Sequence, residues 1–125
     1  AFGGTFHLSH GRSNALLMEK VIEYNANLKD TSDQQVAAKY GQLARILGLP
    51  ARTTREGYVN FLQAVRQLKR DVHMPASIRA AGIQEEEFMA ATGKMAEQAL
   101  ADRCTPSNPR TPAKEDIIAI YKAAY

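Results

Sequence analysis

The chain has 125 residues, of which 45% are hydrophobic and 23% charged, with no Trp and a single Cys. That balance excludes a disordered or collagen-like chain, and the length suits one domain burying roughly two-thirds of its unfolded surface. Sixteen Lys and Arg against thirteen Asp and Glu leave a formal charge of +3, spread too evenly from Arg12 to Lys122 for a dedicated nucleic-acid face.

The apolar period is helical throughout and never alternates as a half-buried strand would. A first helix is expected from about Gly11 to Asn27, with Leu17, Val21, Tyr24 and Leu28 inward and Met18 and Ile22 widening the stripe. A second is expected from Ser32 or Asp33, either of which can take an orphan backbone N–H as N-cap, to Leu47. Its inward face reads Val36, Tyr40, Leu43 and Leu47. The third spans about Thr54 to Val72, with Tyr58, Phe61, Leu62, Val65, Leu68 and Val72 inward. Its cations Arg66, Lys69 and Arg70, with Arg52 and Arg55 upstream, read as a solvated face.

Pro75 to Ala81 reads as a short helical turn ended by Gly82. The next helix covers about Gln84 to Asp102, with Glu85, Glu86 and Glu87 at the positive end of its dipole and Phe88, Met95 and Ala99 on its apolar side. The last is expected from near Thr111 with Pro112 at its first helical position, burying Ile117, Ile120, Tyr121 and Ala124. Gly48 and Gly82 fall where left-handed C-terminal caps belong. Gly41 and Gly93 sit inside helices at a cost of about 1 kcal/mol each relative to Ala, which close packing would explain. The fold class that follows is all-α, an irregular bundle of five to six helices.

One cysteine cannot form an internal disulfide and fits a reducing compartment. The longest apolar run, Ala15-Leu16-Leu17-Met18, is too short to cross a bilayer, and no secretory pattern opens the chain. The expectation is a cytoplasmic protein without nucleic-acid or membrane partners.

Few residues offer chemistry. His7 and His10 stand three apart and can point the same way toward one divalent cation, but no Asp, Glu or Cys flanks them to complete a site. On spacing alone the favoured reading is loop histidines hydrogen-bonded to nearby backbone. The segment Cys104-Thr105-Pro106-Ser107-Asn108-Pro109-Arg110-Thr111-Pro112 carries three prolines and reads as a rigid connector. In it Asn108 can turn onto local backbone and Arg110 can bridge carbonyls or a helix C-terminus. Cys104 has no candidate base nearby in sequence and does not read as a nucleophile.

Three stretches carry a family resemblance. Phe6-His7-Leu8-Ser9-His10-Gly11-Arg12-Ser13-Asn14-Ala15-Leu16-Leu17 resembles the His-Gly segment of the iron-containing alcohol dehydrogenases. Met74-Pro75-Ala76-Ser77-Ile78-Arg79-Ala80-Ala81-Gly82-Ile83 is similar to that family's P-x-x-[IL]-R-x-x-G-[IV] region, and Cys104 to Arg110 to its C-T-x-x-N-P-R loop before a final helix ending in Tyr. Order and spacing agree over essentially the whole chain. The likeness is nearest to the alcohol dehydrogenase part of the bifunctional aldehyde–alcohol dehydrogenases and to propanol- or ethanolamine-pathway alcohol dehydrogenases.

The resemblance implies the C-terminal helical domain of a dehydroquinate synthase-like fold, in which an N-terminal α/β domain binds the dinucleotide and the active site lies in the cleft between. It implies hydride transfer between a small alcohol or aldehyde and NAD(P), with Fe²⁺ (or Zn²⁺) held by one Asp and three His as Lewis acid. The last of those histidines maps onto His10. His7 matches a position that is His in some members and is not a ligand, and Cys104 is expected to border the substrate pocket. The family's other three ligands and its nucleotide-binding domain would stand before residue 1. Residues 1–125 are therefore expected to form a single metal-side domain, holding neither metal nor NAD(P) tightly and inactive alone. The apolar surface left for the missing half could pair two copies as a homo-oligomer. The alternative reading is a stand-alone helical protein-interaction module without catalysis.

Overall fold

The computed structural model describes residues 1–30 and 32–125, in which the helical period becomes six α-helices. They are α1 (Phe2–Thr5), α2 (His10–Ala26), α3 (Gln35–Ile46), α4 (Thr54–Asp71), α5 (Glu85–Leu100) and α6 (Lys114–Ala124). A single 3₁₀ turn, Thr105–Ser107, interrupts the connection between α5 and α6, and among the described residues there is no strand. The all-α expectation stands, with α1 as the one helix the period did not announce.

Local chemistry sets most of the boundaries. Ser9 Oγ accepts the Arg12 N–H and starts α2 at His10, one residue before the expected Gly11. Thr53 caps α4 by accepting the Glu56 N–H. Gly48 (φ +72°) and Gly82 (φ +91°) take the left-handed conformation anticipated for them. The turn before Gly82 carries a helical bond from Ala81 N–H to the Ser77 carbonyl.

Two helix starts differ from expectation. Helix α3 begins at Gln35 with Gln34 as N-cap, and Asp33 Oδ1 instead takes the Gln35 N–H in a tight side-chain turn. Helix α6 begins at Lys114, so Pro112 lies outside it; Asp116 Oδ2 accepts the Ala113 N–H and defines the first turn there.

The core falls into two clusters that share α2. The larger gathers Phe2, Leu16, Ile78, Phe88, Met95, Ile117 and Tyr121 from α1, α2, α5, α6 and the Ile78 turn. Phe88 is completely buried, edge-on to Phe2 and Tyr121 and stacked on Tyr125 at 5.0 Å between centroids. The smaller holds Ile22, Ala26, Ala37, Tyr58 and Leu62 between α2, α3 and α4.

Small residues let α3 and α4 approach closely. A Cβ on Gly57 would stand 2.7 Å from Gly41 Cα and 2.9 Å from Ala51 Cβ, so the pair packs backbone to backbone there. Gly93 meets nothing within 4 Å, and close packing does not account for it.

Several inward assignments are corrected by this arrangement. Leu43, Leu47, Leu68 and Val72 are exposed, together with Ile46 at 80%. The close α3–α4 contact uses Ala37, Gly41 and Ala44, which turns the larger residues outward. On α2 the buried face is Ser13, Leu16, Ile22, Asn25 and Ala26, whereas Leu17, Val21 and Tyr24 are half-buried beside a cavity.

The cations of α4 are not simply a solvated face. Lys69, only 8% exposed, donates to Glu19 Oε1 at 2.6 Å, and Arg66 Nε donates to Glu19 Oε2 at 2.8 Å. Arg66 also reaches Glu23 Oε1 at 3.0 Å, and Lys20 pairs with Glu23 at 2.9 Å. Burial alone would raise the Glu19 carboxyl. The bonds from Lys69 and Arg66, with their charges, outweigh it and hold Glu19 below its ordinary range. Four charged side chains thus lock α2 onto α4.

Candidate cleft beside helix α2

The cavity follows from α2 being only partly covered. Helix α6 runs antiparallel to α2, since Tyr24 near the end of α2 bonds Asp116 near the start of α6. Both helices turn apolar residues toward the gap: Leu17 and Val21 from α2, Ile117 and Ile120 from α6. The result is a cavity of about 610 Å³, bordered by α1 and by the α5–α6 connection.

His10 lines this cavity as the first residue of α2. Its Nε2 lies 3.0 Å from Asn14 Nδ2, one helical turn on, so the ring is steered along the helix. From His10 to Tyr24 the lining residues of α2 recur at helical spacing over about 21 Å.

Cys104 and Thr105 enter the same cavity from the α5–α6 connection. The backbone around Cys104 is held locally: its N–H donates to Asp102 Oδ1 at 2.8 Å, and Ser107 Oγ donates to its carbonyl at 2.6 Å. Thr105 Oγ1 donates to the Ala99 carbonyl at the end of α5. The thiol is exposed.

His7 does not join this group. It takes φ +54° in the turn between α1 and α2, is exposed, and is not among the residues lining the cavity. His is one of the few non-glycine residues tolerated in that conformation, which accounts for it at a chain reversal. His73 does the same after α4, at φ +55°.

The expected roles of Asn108 and Arg110 are realised, with partners the sequence did not indicate. Asn108 Nδ2 donates to the Arg110 carbonyl, the local backbone, and also to Asn25 Oδ1 at 2.8 Å. Asn25 Nδ2 returns a bond to Asn108 Oδ1 at 3.1 Å. Arg110 Nη1 donates to the Tyr24 carbonyl at 2.9 Å, near the C-terminus of α2, and its guanidinium sits 4.0 Å from the centre of the Tyr24 ring. Burial raises the Tyr24 phenol. The Arg110 charge opposes this and Asp116 reinforces it, so the hydroxyl stays protonated and donates to the Thr111 carbonyl and Asp116 Oδ2.

Sequence reasoning missed Asn14, Tyr24 and Asn25 as partners of these groups. Asn14 was legible in principle, four residues after His10 on a helix. Asn25 could have been suspected as a polar residue on a helix whose neighbours are apolar; its partner 83 residues away could not.

As a metal site the chain supplies one imidazole, whose Nε2 already faces the Asn14 amide. Among the described residues no three His, Cys, Asp or Glu side chains gather into a group able to hold a metal ion. The donors present do not make a closed centre, which needs three or four. Among the described residues, no helix is long and apolar enough to cross a membrane.

Comparison with known proteins supplies the wider setting. A model of the C-terminal part of the Fe-containing alcohol dehydrogenase family matches residues 1–125. An aldehyde-alcohol dehydrogenase of Streptococcus pneumoniae serotype 4 is 36% identical over 130 residues, covering 98% of this chain and 15% of its own length. A bifunctional aldehyde-alcohol dehydrogenase of Escherichia coli K12 is 37% identical over 133 residues with the same coverages. A crystal structure of 1,3-propanediol oxidoreductase superposes with a TM-score of 0.82 at 28% identity, covering 98% of this chain and 30% of that one. The chain thus spans less than a third of the length of any of these relatives.

Proposed function

The chain belongs to the Fe-containing alcohol dehydrogenase family, as its C-terminal part, and on that premise we propose that it is the metal-side helical domain of an enzyme interconverting an alcohol and an aldehyde by hydride transfer with NAD(P). The observation that carries this reading is the placement of His10 at the head of a largely apolar cavity that Cys104 and Thr105 also border. Such a cavity suits a small substrate with one polar end.

In this reading His10 would be one imidazole ligand of an iron or zinc ion, with its Nε2 freed from the Asn14 amide. The remaining ligands and the dinucleotide site come from polypeptide outside these 125 residues. The chain's own contribution is then to orient one ligand, to line the substrate cleft with Leu17, Val21, Ile117 and Ile120, and to exclude water from it. Alone, it does not turn over and does not hold Fe²⁺ or Zn²⁺ tightly.

In the full-length protein, His10→Ala is expected to lose bound metal and alcohol-dependent NAD(P) reduction together. His10 is exposed, so helix content and the urea midpoint should stay close to the parent's. Retained metal with normal turnover would overturn the assignment. An anaerobic calorimetric titration of the 125-residue chain with Fe²⁺, repeated with Zn²⁺, tests the other half. Tight stoichiometric binding would show that the chain builds its own site.

A further inference from the structure

The wall of the cavity that carries Cys104 has little helical structure of its own. Between the end of α5 at Leu100 and the start of α6 at Lys114 only the 3₁₀ turn Thr105–Ser107 is regular. Such a connection would ordinarily be among the first parts of a domain to open. Here it is tied to α2 by contacts that close on one another. Asn25 and Asn108 exchange two side-chain bonds, at 3.1 and 2.8 Å, and Asn25 is only 6% exposed. Asn108 also accounts for the Arg110 carbonyl, while Arg110 bonds the Tyr24 carbonyl and places its guanidinium carbon 4.0 Å from the centre of the Tyr24 ring.

We propose that Asn25, Asn108 and Arg110 are positioning residues, an uncharged amide pair and a seated guanidinium that fix the Cys104–Thr105 wall of the cavity against the helix that presents His10. The proposal rests on reading that cavity as the alcohol and aldehyde cleft. It assigns a cleft-shaping role to groups that are neither ligands nor carriers of reactive atoms; Asn108 also lines the cavity itself, whereas Asn25 and Arg110 do not and act only through the connection. Chemistry favours neutral partners there. A carboxylate in place of Asn25 would bury a charge at a position only 6% exposed, whereas two amides satisfy each other's donors and acceptors without one.

Loss of the amide pair leaves Asn25 buried without its partner, and the connection opens more often. The test is the full-length protein with Asn108→Ala, read two ways. Amide hydrogen exchange at Cys104, Thr105, Ser107 and Asn108, whose N–H groups are bonded within the connection, followed by mass spectrometry well below the melting temperature, is expected to accelerate about tenfold. KM for the alcohol is expected to rise by about the same factor with kcat and metal content much less affected. Arg110→Ala should reproduce both changes, and Arg110→Lys, which keeps a donor for the Tyr24 carbonyl without the guanidinium over the ring, should recover part of them. That rescue also serves if Asn108→Ala does not fold.

Unchanged amide exchange across residues 104–108 in Asn108→Ala and Arg110→Ala would overturn the proposal. So would accelerated exchange with an unchanged KM, since the wall would then be mobile without shaping the cleft. A parent protein with no alcohol-dependent turnover would instead overturn the dehydrogenase reading, and the exchange rates would still decide whether these three residues hold the wall.

Discussion

The two sides of α2 are joined to the rest of the molecule by different physics. Toward α5 and α6 the contact is a cluster of rings, with Phe88 wholly buried among Phe2, Tyr121 and Tyr125, supplemented by neutral amides and one guanidinium on Tyr24. Toward α4 the apolar contact is thinner, and Glu19, Glu23, Arg66 and Lys69 complete it. The reason lies in α3 and α4. Gly41, Gly57, Ala37 and Ala44 let those two helices meet at the backbone, and residues that small leave little apolar area to offer a third helix. Ion pairs at the rim then set how α4 sits on α2. The side that borders the cleft consequently relies on rings and amides, with the Tyr24–Asp116 bond as a carboxylate contact across it.

The largest expected effect sharpens that contrast. Phe88→Ala should cost about 4 kcal/mol in a urea titration, because it removes a completely buried ring from the centre of the larger cluster. A loss below about 1 kcal/mol would mean that the aromatic side is not the principal core. Next, Lys69→Ala should cost about 2 kcal/mol, since it strands part of a half-desolvated carboxylate while Arg66 remains on Glu19. Lys69→Met, which keeps the packing of the stem, should cost less than Lys69→Ala.

The smallest effect concerns pH. Glu19 is held below its ordinary value of 4.5, so its contribution is fully present above that pH and is lost as pH falls through the lower folded-state value. Urea midpoints between pH 6 and 3 should therefore decline, and Glu19→Gln should flatten part of the decline while lowering stability at pH 6. An identical decline in Glu19→Gln would assign the acid sensitivity to other carboxylates.

Much of this was legible from residue types. The Ser9, Thr53 and Gly82 boundaries follow from local bonds and backbone freedom that need no distant partner. The inward positions of Phe88, Met95, Ile117 and Tyr121 follow from period alone, because those helices bury one broad face. Leu68 and Val72 defeated the same logic, and Lys69 inverted it, because the face of α4 that is buried near its end is chosen by Glu19 on another helix. Within the cleft, His10 was visible as a potential ligand and Asn108 and Arg110 as loop-fixing groups. Asn25 was not, since its partner stands 83 residues away, and Asn14 was legible only through its place one helical turn after His10.

The sequence by itself determined an all-helical chain, the position of most helix ends, and the three segments that mark the family, because propensity, capping and motif spacing are properties of neighbours along the chain. Only the tertiary structure decided that His10 and Cys104 border one cavity while His7 does not. It likewise decided that the cations of α4 are paired and that Asn25 locks Asn108. Each of those outcomes depends on which helix faces lie together across 43 residues of sequence or more, and hydrogen bonds and ion pairs act only over a few ångströms.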